Sequence, residues 1–348
     1  EGGTLLEVLD ETVTAMGARL LRRWILEPLV EPEQIWRRLD AVTELVEAVE
    51  LRNAVREALK GISDLDRLAG KLGTGRIAPR DLGGLRRSLQ RLPDVRTAGE
   101  SSASELLRSL AVDLDCLEDV RELLERALAE ELPATLQEGG VIRSGWSADL
   151  DEAREIRDGA VDFIARLQSR ERERTGITSL KVGFNKVFGY YLEVTKSNLG
   201  RVPEDYVRKQ TLANAERYFT PELKEWEEKV FGAEERIGQL ETELFGAVRS
   251  EVSSSVARLQ EAGRRLAALD VLATFSRCAE RGRYVRPEVH TGFDLDIRAG
   301  RHPVVETMMP REDFIPNDIT LAEDGWIVVL TGPNMAGKST VLRQVGLI

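Results

Sequence analysis

Gly332 is followed, after four residues, by Gly337-Lys338-Ser339 within the run Gly332-Pro333-Asn334-Met335-Ala336-Gly337-Lys338-Ser339-Thr340. That spacing fits a phosphate-binding loop. Its glycines let the backbone turn tightly enough for several N–H groups to converge on the α- and β-phosphates of ATP, at the positive end of a helix expected to begin near Lys338. Lys338 would reach the β- and γ-phosphates, and the Ser339 hydroxyl would be one ligand of Mg2+, whose other oxygens come from nucleotide and water. Thr340 stands one step further out. The apolar run Trp326-Ile327-Val328-Val329-Leu330 predicts the buried strand that leads into such a loop. A purely structural strand–turn–helix unit is the competing reading. A P-loop ATPase also needs an acidic strand end after the loop helix, to hold the metal and position water. With Ile348 as the last residue, no catalytic residue of that kind is expected here, nor hydrolysis by this chain alone.

Other chemistries have little material. His290 and His302 are the only histidines, and Cys116 and Cys278 lie far apart without CxxC spacing. Histidine-based metal sites and Ser/His or Cys/His catalysis are therefore disfavoured, and two reduced, packed thiols suit the cytosol. His302, followed by proline, reads as a turn residue or a buried hydrogen-bond donor rather than a base. No segment predicts a membrane span. The net charge of −11 argues against indiscriminate nucleic-acid binding by the whole surface. Residues 181–217 depart from that balance: Lys181, Lys186, Lys196, Arg201, Arg208, Lys209 and Arg217 face only Glu193, Glu204, Asp205 and Glu216.

The elements that must carry these residues show in the hydrophobic periodicity. Residues 1 to about 135 are mostly helical, with Pro28, Pro32, Gly73-Thr74-Gly75 and Pro93 as punctuation and Gly99-Glu100-Ser101-Ser102 as a surface loop. Leu150, Ala153, Ile156, Ala160, Phe163 and Leu167 predict a long helix stopped at Thr175-Gly176. The period then falls to two across Leu180–Val194, with Asn185-Lys186 and Gly189 supplying turn chemistry. Thr220 as N-cap and Pro221 at the first helical position start a second long helix, which if uninterrupted to Leu269 spans on the order of 70 Å. Gly232, Gly238, Gly246 and Gly263 are its expected bending points. Two long helices around a small basic sheet describe a lever arm with a tip, rooted in a helical body, with a P-loop domain beginning near Arg286-Pro287. A tip too small to bury much core suits contact with a polyanion, though a structural cap or a dimer contact fits equally well.

Four motif clusters in order resemble the MutS family of bacterial mismatch-repair ATPases. Thr12-Val13-Thr14-Ala15-Met16-Gly17 and Arg19-Leu20-Leu21-Arg22-Arg23-Trp24 are similar to the start of its core domain. Lys181-Val182-Gly183-Phe184-Asn185-Lys186-Val187-Phe188-Gly189-Tyr190-Tyr191 and Asn214-Ala215-Glu216-Arg217-Tyr218 resemble its DNA clamp. Gly300-Arg301-His302-Pro303-Val304-Val305-Glu306, Phe314-Ile315-Pro316-Asn317 and the 332–340 loop resemble the opening of its ATPase domain. The resemblance implies a multidomain, mainly α chain: a helical core (1–150), a lever helix out (151–175), a clamp with a small β-sheet (176–221), a lever return (222–285) and the N-terminal part of a P-loop ATPase domain (286–348). It implies that the mismatch-reading domain, connector, Walker B strand, signature loop and dimerisation helices lie outside this chain.

For the sites, the resemblance implies adenine stacking on Phe314, against the alternative of a core aromatic, and phosphate and Mg2+ at Lys338 and Ser339. It implies DNA phosphate contacts at Asn185, Lys186, Arg208, Lys209 and Asn214. Ala213 departs from the family, which often has lysine there. Glu216 and Arg217 read as a structural ion pair. The implied partners are mismatched duplex DNA, a second copy in a homodimer and a downstream MutL-like ATPase, in a cytoplasmic, nucleoid-associated setting. Three alternatives stay open: a recombination-type relative without mismatch reading, a bare DNA-clamping module, and a chromosome-organising coiled-arm ATPase. In the last class the P-loop precedes the arm, whereas here it follows it.

Overall fold

The computed structural model describes residues 3–185, 187, 189–310, 313–323, 325–333 and 337–348, with the backbone alone for Val161. In chain order the helices begin with α1 (Leu5–Leu9), α2 (Ala15–Leu26), α3 (Pro32–Glu47), α4 (Val49–Leu59), α5 (Leu65–Gly73), α6 (Pro79–Glu100), α7 (Glu105–Val112), α8 (Glu118–Ala127) and α9 (Ala148–Thr175). Strands β1 (Lys181–Asn185), β2 (Gly189–Thr195), β3 (Val207–Thr211) and β4 (Ala215–Phe219) follow. Then come α10 (Pro221–Ser253), α11 (Val256–Gly282), β5 (Leu295–Gly300), β6 (Asn317–Leu321) and α12 (Lys338–Leu347). The chain is mainly helical with a small antiparallel sheet, as its periodicities imply.

Two compact units result. The first comprises Glu1–Arg76, Gly84–Arg121 and Ser253–Ile348, the second Ile77–Gly83 and Glu122–Val252. In the first, α11 is the element on which α2, α3, α4, α5 and α7 all pack. Its Leu259, Leu266, Leu269, Val271, Leu272 and Ala273 are buried, and so are its Thr274 and Ser276. A helix covered on most of its circumference belongs to a core rather than a surface.

Asp270 is wholly buried in the middle of α11. Its carboxylate accepts from Val13 N at 3.0 Å, Thr14 N at 2.8 Å and the Thr14 hydroxyl at 2.7 Å. The Thr14 oxygen in turn caps α2 by accepting from Gly17 N at 2.9 Å. Gly17 is required by space, since a Cβ there would lie 2.2 Å from Asp270 Oδ2. Burial pushes the Asp270 carboxyl up, and the hydrogen bonds from Thr14 and Val13 pull it back. The Thr14–Gly17 motif is thus the receptor for one buried charge.

In the second unit, α9 starts at Ser147, whose side chain accepts from Leu150 N, and stops at Gly176 in the left-handed region (φ 67°), as the sequence implies. The Thr220 hydroxyl accepts from Leu223 N to open α10. Buried Glu241 accepts from Gly140 N, Val141 N and Arg154, fixing the 139–141 loop to α10. The four strands form an antiparallel sheet in the order β1-β2-β4-β3. One face of it supplies Leu192, Val194 and Tyr218 to a core with Phe163, Leu167, Ile177, Leu180, Tyr206 and Leu223.

Four expectations need correction. The second long helix breaks at Ser254-Ser255, while the four glycines expected to bend it sit inside α10 or α11. Serine side chains compete for backbone groups, so a serine run breaks a helix more readily than isolated glycines, each of which costs only about 1 kcal/mol. Helix α6 runs through Pro93 to Glu100, because fully buried Leu92 and Val95 on either side offset the lost hydrogen bond. Of the expected surface loop 99–102, Glu100 and Ser101 are exposed, but Gly99 and Glu100 belong to α6 and Gly99 and Ser102 are buried. Glu44 accepts from the Ser102 hydroxyl, Ala103 N and Ser104 N at 2.6–2.7 Å. Finally, 327–330 joins no strand ladder among the described residues and faces solvent, Ile327 being 84% and Val329 79% exposed. An apolar run becomes a strand only where a neighbour supplies a ladder, and β5 pairs with β6 instead.

Asp270→Ala strands three donors at once, two of them buried, each buried one costing about 1–3 kcal/mol. Urea unfolding is expected to show a loss of about 3 kcal/mol or more with an unchanged slope. A loss under about 1 kcal/mol would contradict the role given to this carboxylate.

Candidate nucleotide and nucleic-acid sites

The loop at 332–340 lies in the first unit. Asn334, Met335 and Ala336 lie outside the described residues. Gly332 (φ 150°) and Gly337 (φ 86°) both hold backbone conformations that favour glycine, and Gly337 is the residue before α12. Helix α12 therefore starts at Lys338, where the motif places it. Thr340 N and Val341 N donate to Gly337 O at 3.0 Å, while Lys338 N and Ser339 N have no acceptor among the described residues. Those N–H groups and the helix dipole suit a phosphate. The Lys338 ammonium donates to Gly332 O, folded back across the loop where a phosphate would compete for it. Ser339 is exposed beside it. The donor set present fits a nucleotide polyphosphate with its Mg2+.

Phe314 is half-buried in the turn that leads into β6. His302 is buried, and its Nδ1 accepts from Val304 N and Val305 N at 3.3 Å. It therefore anchors a turn, as expected, though as an acceptor at that nitrogen rather than a donor. Arg301 bonds Glu306 at 2.8 Å, and Glu306 also accepts from the Tyr284 hydroxyl, which burial pushes above its ordinary range.

The second unit holds the basic segment. Asn185 ends β1, and its Oδ1 accepts from Val187 N at 2.8 Å, which shapes the hairpin turn; Lys186 lies outside the described residues. Register places Gly189 (φ 69°) opposite Asn185. Arg208 is 65% exposed in β3, 3.7 Å from Glu216. Lys209 sits at the bulge between Arg208 and Gln210, where it faces Glu227 at 3.8 Å and lies over the Phe219 ring. Asn214 is exposed, and its carbonyl accepts from Lys196 N.

The Glu216–Arg217 ion pair does not form, because neighbours in a strand point to opposite faces. Glu216 accepts from the Tyr218 hydroxyl at 2.5 Å. Arg217 instead donates to Glu193 and Gln210, each at 3.0 Å, and lies 4.0 Å over the Tyr191 ring. Tyr191 in turn lies on Gly183, where a Cβ would come within 2.7 Å of the ring. Register aligns Lys181, Glu193, Arg217 and Gln210 in one row across all four strands. Sequence reading missed this row: the alternation was visible, but the pairing register that lines the residues up was not. Lys181 and Lys196 are exposed and have no ion pair among the described residues.

Comparison with known proteins places the chain. The family model of MutS domain III matches residues 1–276. The chain is 50% identical over 348 residues to a DNA mismatch repair protein MutS of Salinibacter ruber, covering 99% of this chain and 38% of that protein. It is 51% identical over 348 residues to the Myxococcus xanthus protein of the same name, covering 99% and 39%. A Symbiobacterium thermophilum relative is 50% identical over 347 residues, covering 99% and 40%. The chain thus spans about two fifths of the length of these relatives.

The Gly183–Tyr191–Arg217 stack carries its own test. Gly183→Ala is expected to lift Tyr191 and uncouple Arg217, lowering stability by about 1–2 kcal/mol, on the order of one cation–π contact and one hydrogen bond. A thermal melt of the variant that matches wild type would contradict the stack.

Proposed function

The chain belongs to the MutS family, and from that membership we propose that it serves DNA mismatch repair as the DNA-holding and nucleotide-sensing part of a dimeric clamp. Residues 1–150 are the helical core, 151–175 and 222–285 the two passes of the lever, 176–221 the clamp and 286–348 the N-terminal part of the P-loop ATPase domain. What supports this assignment above all is the placement of a four-stranded sheet between long helices α9 and α10, in the segment where basic residues outnumber acidic ones. Asn185, Lys186, Arg208, Lys209 and Asn214 hold duplex phosphates, which are met without reading sequence. Lys209 has to leave Glu227 to do so, whereas Arg208 already stands out in solvent.

Gly332–Thr340 receive the phosphates of ATP, Ser339 ligates Mg2+, and Phe314 stacks on adenine. When bound, the nucleotide with its metal supplies the free energy that switches a family member between scanning and signalling states. The residues of this chain bind and orient it: Lys338 exchanges Gly332 O for phosphate oxygens, and the first N–H groups of α12 complete the cradle. Hydrolysis belongs to the complete dimeric ATPase, which meets mismatched duplex on one side and a MutL-like ATPase on the other. Among the described residues no helix is long and apolar enough to cross a membrane.

Two measurements test the two sites. Lys338→Ala removes charge-assisted bonds worth about 1.5–3 kcal/mol, so calorimetric titration is expected to show MgATP binding weakened roughly 10- to 150-fold. Unchanged affinity would remove the P-loop assignment. Lys186→Ala and Arg208→Ala should each reduce the slope of log K against log salt for duplex binding by about 0.9, evenly across sequences. An unaltered slope would mean that the sheet does not meet phosphate.

A further inference from the structure

Gln344 is wholly buried on α12, and neither its Nε2 nor its Oε1 has a hydrogen-bond partner among the described residues. Buried amides are nearly always satisfied, so an orphaned one calls for an account. It sits against the last residue of β5. A Cβ on Gly300 would come within 2.5 Å of Gln344 Nε2 and 3.1 Å of the Asn317 carbonyl oxygen. Gly300 pairs with Asn317 across the β5–β6 ladder, just after a register shift. Its neighbour Ala299 is held in the left-handed region (φ 48°), a strained conformation for a residue with a Cβ. An unfilled amide and a strained backbone thus share one spot.

That spot joins two parts of the proposed nucleotide site. The helix bearing Gln344 begins with Lys338 and Ser339, and Asn317 follows the turn that carries Phe314. One nucleotide, with phosphates on the first and base on the second, would draw the two together. A ligand shifts such an equilibrium only through interactions that differ between its states, and an amide unfilled in one state and filled in the other is an interaction of that kind.

We propose that Gln344 is a positioning residue for the nucleotide: its amide closes hydrogen bonds to the backbone at the Gly300–Asn317 pair when nucleotide bridges Lys338 and Phe314. The inference rests on the nucleotide-binding assignment made above. Gln344 never touches the ligand; it couples the phosphate loop to the adenine-side turn.

The test is calorimetric titration of the chain with MgATP, together with thermal melts without nucleotide. Gln344→Met keeps the volume and removes both orphaned atoms. It should leave the nucleotide-free melting temperature equal or higher while weakening MgATP binding roughly 3- to 10-fold, the equivalent of about one neutral hydrogen bond. A raised melting temperature with unchanged affinity would overturn the proposal, because a merely structural orphan gives that result. Gly300→Ala, which presses a methyl on the amide and on Ile297, should weaken binding too. Unchanged MgATP affinity in that variant would count against coupling through this contact. If wild type fails to bind MgATP, or Lys338→Ala binds as well as wild type, the nucleotide assignment itself falls, and this inference with it.

Discussion

A carboxylate removed from water has to be satisfied from within, and Asp270 meets that demand with donors more than 250 residues away in sequence. The consequence runs outward through the first unit. Three donors from Val13 and Thr14 fix where α2 begins, Gly17 is confined to glycine by the same carboxylate, and α2 then packs along α11 beside α3, α4, α5 and α7. The apolar contacts supply the bulk of the stabilisation, yet they are non-directional and tolerate sliding. The buried charge does not: a helix shifted by one residue leaves it unpaired. It sets register where hydrophobic packing sets only proximity.

The second unit handles charge in the opposite way. Two of the sheet's cations are held by acids of the same unit, Arg217 by Glu193 and Lys209 by Glu227, while Arg208 stands largely in solvent 3.7 Å from Glu216. A surface arranged like this keeps its strands apart from chance polyanions, because a phosphate has to displace an existing partner. Glu193 serves Arg217 while Tyr191 holds the guanidinium flat. The price of such selectivity is affinity.

Local signals were legible in the sequence wherever one residue type suffices. Thr220-Pro221 opens α10, Gly176 closes α9, and Gly337-Lys338 starts α12, each for a stereochemical reason complete within a few residues. The resemblance to the family was likewise carried by short runs, among them Lys181–Tyr191 and Gly332–Thr340. What stayed hidden depends on partners distant in the chain. Trp326–Leu330 has the composition of a buried strand, but composition cannot say whether a neighbouring strand is there to pair with it. Pro93 breaks an isolated helix, but not one whose Leu92 and Val95 are buried. The acidic partner of Arg217 was sought next to it in sequence, although the pleat sends adjacent side chains apart. Gln344 offered no signal at all, for a glutamine in an amphipathic helix is ordinary until its burial is known.

The second unit interrupts the first, whose last part begins at Ser253. During synthesis, therefore, Thr14 leaves the ribosome 256 residues before the carboxylate it binds. At about 5–20 residues per second that interval is on the order of 10 to 50 seconds. Throughout it the N-terminal helices have no α11 to cover them, whereas the inserted unit is complete once Val252 is made, before Asp270 appears. Within this chain, α2 is therefore locked in place only after α11 has been made, long after its own residues.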